Sequence, residues 1–180
     1  SYLLRVKPEQ VIPGSSFEDD DEQDMLDAGL CFAAEVKAVD LLARAEQSHF
    51  GLTRKLAAKG MKKEHISRAL DYLEAKGYLS DARFAEAWLN KRKAGHFEGR
   101  IRLASELAVR GIDRHTAAAA LDDFFESNPE DEICAKAVRK CIDRGMDRDK
   151  AEKYLQQHGF TPRMIEASIT FFENLDKKPR

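Results

Sequence analysis

The chain has 180 residues, of which 43% are apolar and 34% charged, and its formal net charge is −2. A chain of this length can bury a core of its own, and three cysteines without paired spacing argue against a secreted disulfide scaffold. No apolar run approaches the ~20 residues that span a membrane, so the composition predicts a cytoplasmic protein in a reducing compartment.

The first 33 residues form the acidic part of the chain, because they hold two Lys and Arg but eight Asp and Glu. The turn-forming sequence PGSS at residues 13–16 interrupts any regular structure. This segment has too little apolar surface to offset the entropy lost on ordering it. We therefore predict an acidic, flexible N-terminal segment over residues 1–33, either a solvated linker or an acidic interaction tail.

Helical patterns begin at residue 34 and continue towards the end of the chain. Ala, Leu, Lys, Glu and Arg dominate this part, and glycines recur at helix-length intervals, as they do just beyond helix C-termini. Thr161 followed by Pro162 is a strong helix start, since Thr caps an N-terminus and Pro suits the first helical position. The pattern predicts nine helices, near residues 34–46, 49–58, 63–76, 81–94, 99–109, 114–126, 131–144, 148–157 and 162–175.

A short signature occurs three times in the helical part. Residues 56–61, 107–112 and 155–160 each read Leu, two variable residues, a basic residue, Gly and a large apolar residue. Apolar residues follow each glycine at helical spacing. This periodicity predicts an all-α chain of three tandem three-helix repeats, which stack into an elongated, curved body. We expect the protein to be monomeric. The predicted repeats span residues 34–80, 81–127 and 128–176.

Sequence patterns of catalysis or cofactor binding are not found. The chain has no Gly-rich phosphate loop, its five histidines are scattered without a metal-binding pair, and no serine lies in a nucleophile elbow. We therefore predict a protein that is not an enzyme, with no catalytic residue, no cofactor and no metal site.

Basic residues concentrate in the middle repeat, where residues 82–114 hold eight Lys and Arg against four Asp and Glu. Cations at the end of the fourth helix also relieve its macrodipole, whereas Arg100 and Arg102 lie near a helix start and gain nothing locally. These two are therefore the preferred candidates for contact with an acidic partner or a polyanion. The predicted partner-binding residues are Arg83, Lys91, Arg92, Lys93, Arg100, Arg102 and Arg110.

The middle repeat also carries the motifs of a known family. The sequences GYLSDARFA at residues 77–85, RIRL at 100–103 and RGI at 110–112 resemble those of the RecX regulatory proteins. AVDLLAR at residues 38–44 and TRKL at 53–56 resemble the first repeat of that family. The resemblance covers residues 34 to about 174, and the third repeat matches mainly by its periodicity.

Two positions depart from the family pattern. The loop at residues 95–99 reads GHFEG where the family often has Gly-x-Gly-Pro, and Gly51 stands where a capping-box glutamate is usual. These departures concern the geometry of the loop and the stability of the second helix.

The resemblance implies a function as well as a fold. RecX-like proteins bind the RecA–DNA filament and inhibit the ATPase, strand-exchange and coprotease activities of RecA in recombination, DNA repair and the SOS response. The resemblance thus implies RecA as the partner and leaves open a weak direct contact with DNA. The alternative from a different class is a nucleic-acid-binding helical repeat whose basic middle unit lies on phosphates, and an inert scaffold would bind neither.

Overall fold

The computed structural model describes residues 2–93 and 95–176, and these residues form nine α-helices and no strand. A single turn of 3-10 helix, Pro8–Gln10, precedes them. The prediction of an all-α chain is confirmed, and eight of the nine predicted helices agree with the structure to within one residue at each end. The helices are α1 Asp19–Leu42, α2 His49–Ala57, α3 Lys63–Ala75, α4 Asp81–Lys93, α5 Arg100–Val109, α6 Arg114–Ser127, α7 Glu130–Asp143, α8 Arg148–Gln157 and α9 Pro162–Asp176.

Helix α1 begins at Asp19, so the predicted helix start at residue 34 is wrong. Half of the acidic segment that we expected to be flexible forms the first part of this helix. Four acidic residues in the first turn favour it, because negative charge stabilises a helix N-terminus. The buried Cys31 and Ala34 anchor the helix, and α1 packs mainly against α3.

The residues before α1 are held by one carboxylate. The Asp24 side chain accepts hydrogen bonds from the backbone N–H groups of Leu4, Arg5 and Val6 at 2.9–3.2 Å. The bond from Arg5, followed by those from Leu4 and Val6, lowers the pKa of Asp24 below its ordinary value. The Tyr2 hydroxyl also donates to Glu35 at 2.8 Å. These contacts order a segment whose composition alone predicts a linker.

The three copies of the repeated signature adopt the same turn. The glycines at its centre, Gly60, Gly111 and Gly159, have φ angles of +80°, +82° and +88°, a conformation that glycine adopts without steric cost. In each copy the N–H of the following residue donates to the carbonyl of the signature leucine at 3.1–3.3 Å, which is the six-to-one bond of a Schellman motif. The signature leucines Leu56, Leu107 and Leu155 are fully buried, as predicted.

The chain divides into two compact units, Ser1–Phe84 and Ala85–Arg180. The first unit holds α1–α3 around a core on Leu52, Leu56 and Leu70. The second unit holds most of the second three-helix repeat and the whole third repeat, and its third repeat has a core of Cys134, Val138 and seven further buried residues. The helix order is consistent with three-helix repeats, and their bounds at residues 80 and 127 stay predictions.

Candidate partner-binding surface

Six of the seven predicted contact residues lie in the second unit, on α4, on α5 or just beyond α5. Arg83 belongs to the first unit, where its guanidinium donates to the Glu46 carboxylate at 2.9 Å and to the Tyr78 carbonyl at 3.1 Å. Lys91 and Lys93 are exposed in the last turn of α4. Among residues 2–93 and 95–176, neither lysine has a carboxylate partner.

Glu98 is a buried carboxylate between two of the predicted arginines. Its side chain is 4% exposed and accepts two hydrogen bonds from Arg92, at 2.6 and 2.9 Å, and one from Arg102 at 2.8 Å. The Arg92 guanidinium, with help from Arg102, holds the pKa of Glu98 below its ordinary value although burial opposes this. We name Arg92, Glu98 and Arg102 the Glu98 cluster. Glu98 thereby fixes the orientation of both guanidinium groups.

Trp88 lies between two guanidinium groups. The Arg92 guanidinium carbon is 5.5 Å from the centre of the Trp88 ring, and that of Arg110 is 4.6 Å from it. Both distances fit cation–π contacts. Arg110 also pairs with Glu106 at 2.7 Å. The tryptophan is therefore half-buried under arginines and is not a free stacking platform.

Arg100 joins the start of α5 to two other helices. Its guanidinium pairs with Asp122 of α6 at 2.7 Å and lies over the Phe125 ring at 5.1 Å. Its backbone N–H donates to the Glu130 carboxylate of α7 at 2.7 Å. The N-terminus of α5, which lacks a cap from its own N-cap residue Gly99, thus receives an acidic acceptor from the third repeat.

The second and third repeats meet through two glycines. The Gly99 N–H donates to the His158 carbonyl at 2.8 Å, and the Arg102 guanidinium reaches the Gln157 carbonyl at 3.2 Å. A Cβ atom on Gly99 would lie 2.4 Å from the Gly159 carbonyl oxygen, well inside contact distance. Only glycine at residue 99 lets the start of α5 approach the α8–α9 turn so closely.

We expect Gly99→Ala to lower the free energy of unfolding by about 1–3 kcal/mol or more, as overpacking of a filled site does. The added methyl group must displace backbone atoms of Gly159, which a side-chain rotation cannot relieve. Urea denaturation measures the change. Gly29→Ala in α1 is the control, because no atom lies within 4 Å of the added Cβ and the change should stabilise the helix by about 0.5–1 kcal/mol. Equal stability of Gly99→Ala and the parent would contradict the close approach.

These contacts correct the reason for preferring Arg100 and Arg102. We predicted that their positions bring no local benefit, but both stabilise the start of α5 and its contacts with other helices. The middle repeat also lacks the positive excess that residues 82–114 suggest. Over its full length, residues 81–127, it holds eight Lys and Arg and eight Asp and Glu. The middle repeat is neutral, and Lys91 and Lys93, which pair with no carboxylate among the described residues, are the clearest candidates for contact.

Two exposed apolar side chains on α5 were not among the predicted contact residues. Ile101 is 61% exposed and Val109 is 71% exposed, while Leu103 and Leu107 of the same helix are buried. The signal was present in the sequence, since Ile101 and Val109 are out of phase with the buried leucines. Single exposed apolar residues are common on protein surfaces, so these two only extend the candidate surface.

Among the described residues, the other side chains of chemical interest are three cysteines and one cluster of possible metal ligands. All three cysteines are free and buried, and burial raises the pKa of the Cys134 and Cys141 thiols. Within the described part of the chain, His49, Asp71 and Glu74 place three ligand atoms within 4.8 Å of one another at the surface. Among the same residues, no helix combines the length and apolar content that crossing a bilayer requires.

Comparisons with known proteins agree with this architecture. A family model of the second three-helix domain of RecX matches residues 80–121. The crystal structure of a regulatory protein RecX has a TM-score of 0.77 at 18% identity, covering 88% of this chain and 80% of that one. The crystal structure of RecX from Lactobacillus salivarius has a TM-score of 0.71 at 18% identity, covering 81% of this chain and 98% of that one. These structures share the fold.

Two relatives resemble the chain in sequence. Regulatory protein RecX of Treponema pallidum (strain Nichols) is 34% identical over 135 residues, which are 75% of this chain and 82% of that protein. Regulatory protein RecX of Pseudomonas fluorescens is 36% identical over 132 residues, which are 71% of this chain and 84% of that protein. With the three-helix repeats and the matched second domain, this similarity shows that the chain belongs to the RecX family of regulatory proteins.

Proposed function

We propose that this protein binds the RecA–DNA filament and mainly inhibits the ATPase, strand-exchange and coprotease activities of RecA. It would act in recombination, DNA repair and the SOS response, as a cytoplasmic monomer without a reaction of its own. Membership of the RecX family is the observation that carries this proposal. Three tandem three-helix repeats also suit a filament, because several weak contacts to successive protomers add through multivalency.

We place the direct contacts on the exposed parts of the predicted residues. Lys91 and Lys93 offer charges that no described carboxylate neutralises. The predicted arginines keep roughly a quarter to a half of their side-chain surface exposed while they hold internal partners. Ile101 and Val109 add apolar area on α5.

The direct test is co-sedimentation with RecA filaments on single-stranded DNA, with ATP hydrolysis followed in the same tube. We expect the protein to sediment with the filament and to reduce hydrolysis at the same concentrations. Sedimentation only with DNA that carries no RecA would instead support the nucleic-acid-binding alternative. Binding to neither would support an inert scaffold.

We expect Lys91→Glu/Lys93→Glu to raise the concentration needed for half-inhibition of RecA ATP hydrolysis by about tenfold, which corresponds to about 1.4 kcal/mol. Both lysines lie on the surface, so circular dichroism should show an unchanged fold. Reversal of exposed charges acts mainly on association, and the effect should shrink at high salt. The control is Lys153→Glu/Arg163→Glu in the third repeat, two exposed cations that should matter much less. If both variants inhibit RecA ATP hydrolysis equally well, Lys91 and Lys93 are not part of the contact.

Reversal of Arg100 and Arg102 is a poorer test of binding. Both arginines hold the start of α5, so their replacement by glutamate would disturb the fold together with the surface. Their reversal is therefore expected to weaken inhibition and stability at once, and the two lysines separate these effects.

A further inference from the structure

The turn between α2 and α3 in the first repeat carries an unusual concentration of positive charge. Residues 54–63 contain five cations and no acid, namely Arg54, Lys55, Lys59, Lys62 and Lys63. The ten equivalent residues of the second repeat, 105–114, contain two cations and two acids, and those of the third, 153–162, contain one cation and no acid. Because the three turns share one backbone geometry, the fold does not require this charge.

All five cations are exposed. Among the residues that the structure describes, none of them pairs with a carboxylate. Lys55 donates to the Gln47 amide oxygen at 2.6 Å, and the Arg54 guanidinium lies 5.8 Å from the centre of the Phe50 ring. Arg54 and Lys55 lie in the last turn of α2, where cations are favourable, whereas Lys62 and Lys63 lie at the start of α3, where they are unfavourable. The five like charges of this short turn also repel one another.

One of the cations also replaces a helix cap. In the second repeat the Asp113 carboxylate accepts hydrogen bonds from the N–H groups of His115 and Thr116, at 2.8 and 3.1 Å. In the third repeat the Thr161 hydroxyl accepts one from Met164 at 3.3 Å. The equivalent residue of the first repeat is Lys62, which has the same extended backbone but makes no side-chain cap. A lysine at the N-cap of α3 makes no capping hydrogen bond, and its charge is unfavourable beside the positive end of the helix macrodipole.

We propose that this turn, residues 54–63, is a binding surface for the phosphate backbone of single-stranded nucleic acid. Lysine is a flexible point charge that suits phosphates without regard to sequence. The Phe50 ring is 43% exposed beside Arg54, and an aromatic ring next to cations is the arrangement on which unpaired bases stack. The aromatic ring favours a nucleic acid over an acidic protein segment. This site lies in the first unit and contains none of the residues proposed to contact RecA.

The test measures how the affinity of the full chain for a fluorescent oligothymidylate of 30 nucleotides depends on salt concentration, without RecA. Replacing Lys59, Lys62 and Lys63 together by glutamine should weaken binding at least tenfold at low salt. It should also reduce the slope of log affinity against log salt by about 2, since each lost contact to single-stranded phosphate removes about 0.7. The control replaces Lys136, Lys153 and Arg163 of the third repeat by glutamine, which removes the same formal charge and should leave the slope unchanged.

A single variant separates binding from folding. Lys62→Asp introduces the cap that the second repeat has, so the melting temperature should rise by about 2–4 °C, while affinity for oligothymidylate should fall at least fivefold. A rise in melting temperature with unchanged affinity would overturn the proposal, and so would a triple variant with the parent's slope. If poly-glutamate competes as strongly as oligothymidylate does, the turn binds an acidic protein instead. If a duplex of the same length binds more tightly than oligothymidylate, the single strand is not the ligand.

Discussion

Replacing Leu107 by alanine is expected to lower the free energy of unfolding by about 2–5 kcal/mol, the range for truncating a buried leucine. Leu107 is fully buried in the core of the second repeat. The loss combines the transfer energy of the removed methyl groups with the cavity that they leave. The backbone role of this residue, which accepts the Ile112 N–H at 3.1 Å, is unaffected. Urea denaturation followed by circular dichroism gives the value.

Val109→Ala is the matched control for this prediction. Val109 lies two residues further along α5 and is 71% exposed, so its truncation should change the free energy by no more than about 0.5 kcal/mol. Leu56→Ala and Leu155→Ala should each cost a similar amount to Leu107→Ala, because the three leucines occupy the same position of the repeat. A cost below about 1 kcal/mol at residue 107 alone would show that the three sites are not equivalent.

The helices of the repeats could be predicted from the sequence because their boundaries depend on local signals. Each signature contains a glycine that adopts a positive φ angle, and such a residue commonly ends a helix. Caps such as Asp113 and Asp147 act on N–H groups two or three residues away. Interactions of this range are visible in a short stretch of sequence.

The first part of α1 could not be predicted because long-range contacts hold it. Asp24 binds backbone groups 18–20 residues earlier in the chain, and His65 of α3 lies 3.0 Å from Asp27. Composition identifies this stretch as acidic and poor in apolar residues. It does not show that the carboxylates have partners, which decides whether the segment is ordered.

The predicted site shows the same difference between local and distant contacts. Arg100 and Arg102 were identified as unusual because cations oppose the dipole at a helix start. Asp122, which pairs with Arg100, and the Gln157 carbonyl, which Arg102 reaches, lie 22 and 55 residues further along the chain, although Arg102 also pairs with Glu98 four residues before it. A count of charges in one stretch therefore overestimated the free positive charge of the middle repeat. It also missed the turn of the first repeat, where the cations pair with no carboxylate among the described residues.

Glu98→Gln is expected to lower the free energy of unfolding by about 3 kcal/mol at pH 7, the lower end of the range for removing one partner of a buried ion pair. The lower end applies because the two arginines of the Glu98 cluster are 27% and 40% exposed and keep part of their hydration. Glutamine preserves the shape of the side chain, so the change reports mainly the lost charge and the mismatched hydrogen bonds.

The pH dependence of this effect follows from the lowered pKa of Glu98. The carboxylate is charged in the folded state at a pH where the unfolded chain, with a pKa near 4.5, binds a proton. Its contribution to stability is therefore complete above about pH 5 and is lost as the pH falls through the folded-state pKa. The difference between the parent and Glu98→Gln should be constant from pH 7 to pH 5 and should shrink at lower pH.

Urea denaturation at several pH values measures this convergence, with Glu126→Gln on α6 as the control. Glu126 is exposed and, among the described residues, has no ion-pair partner, so its replacement should change stability by no more than about 0.5 kcal/mol at any pH. A difference for Glu98→Gln that stays the same at every pH where both proteins fold would mean that the charge of Glu98 does not stabilise the Glu98 cluster. The loss would then come from side-chain packing at the start of α5.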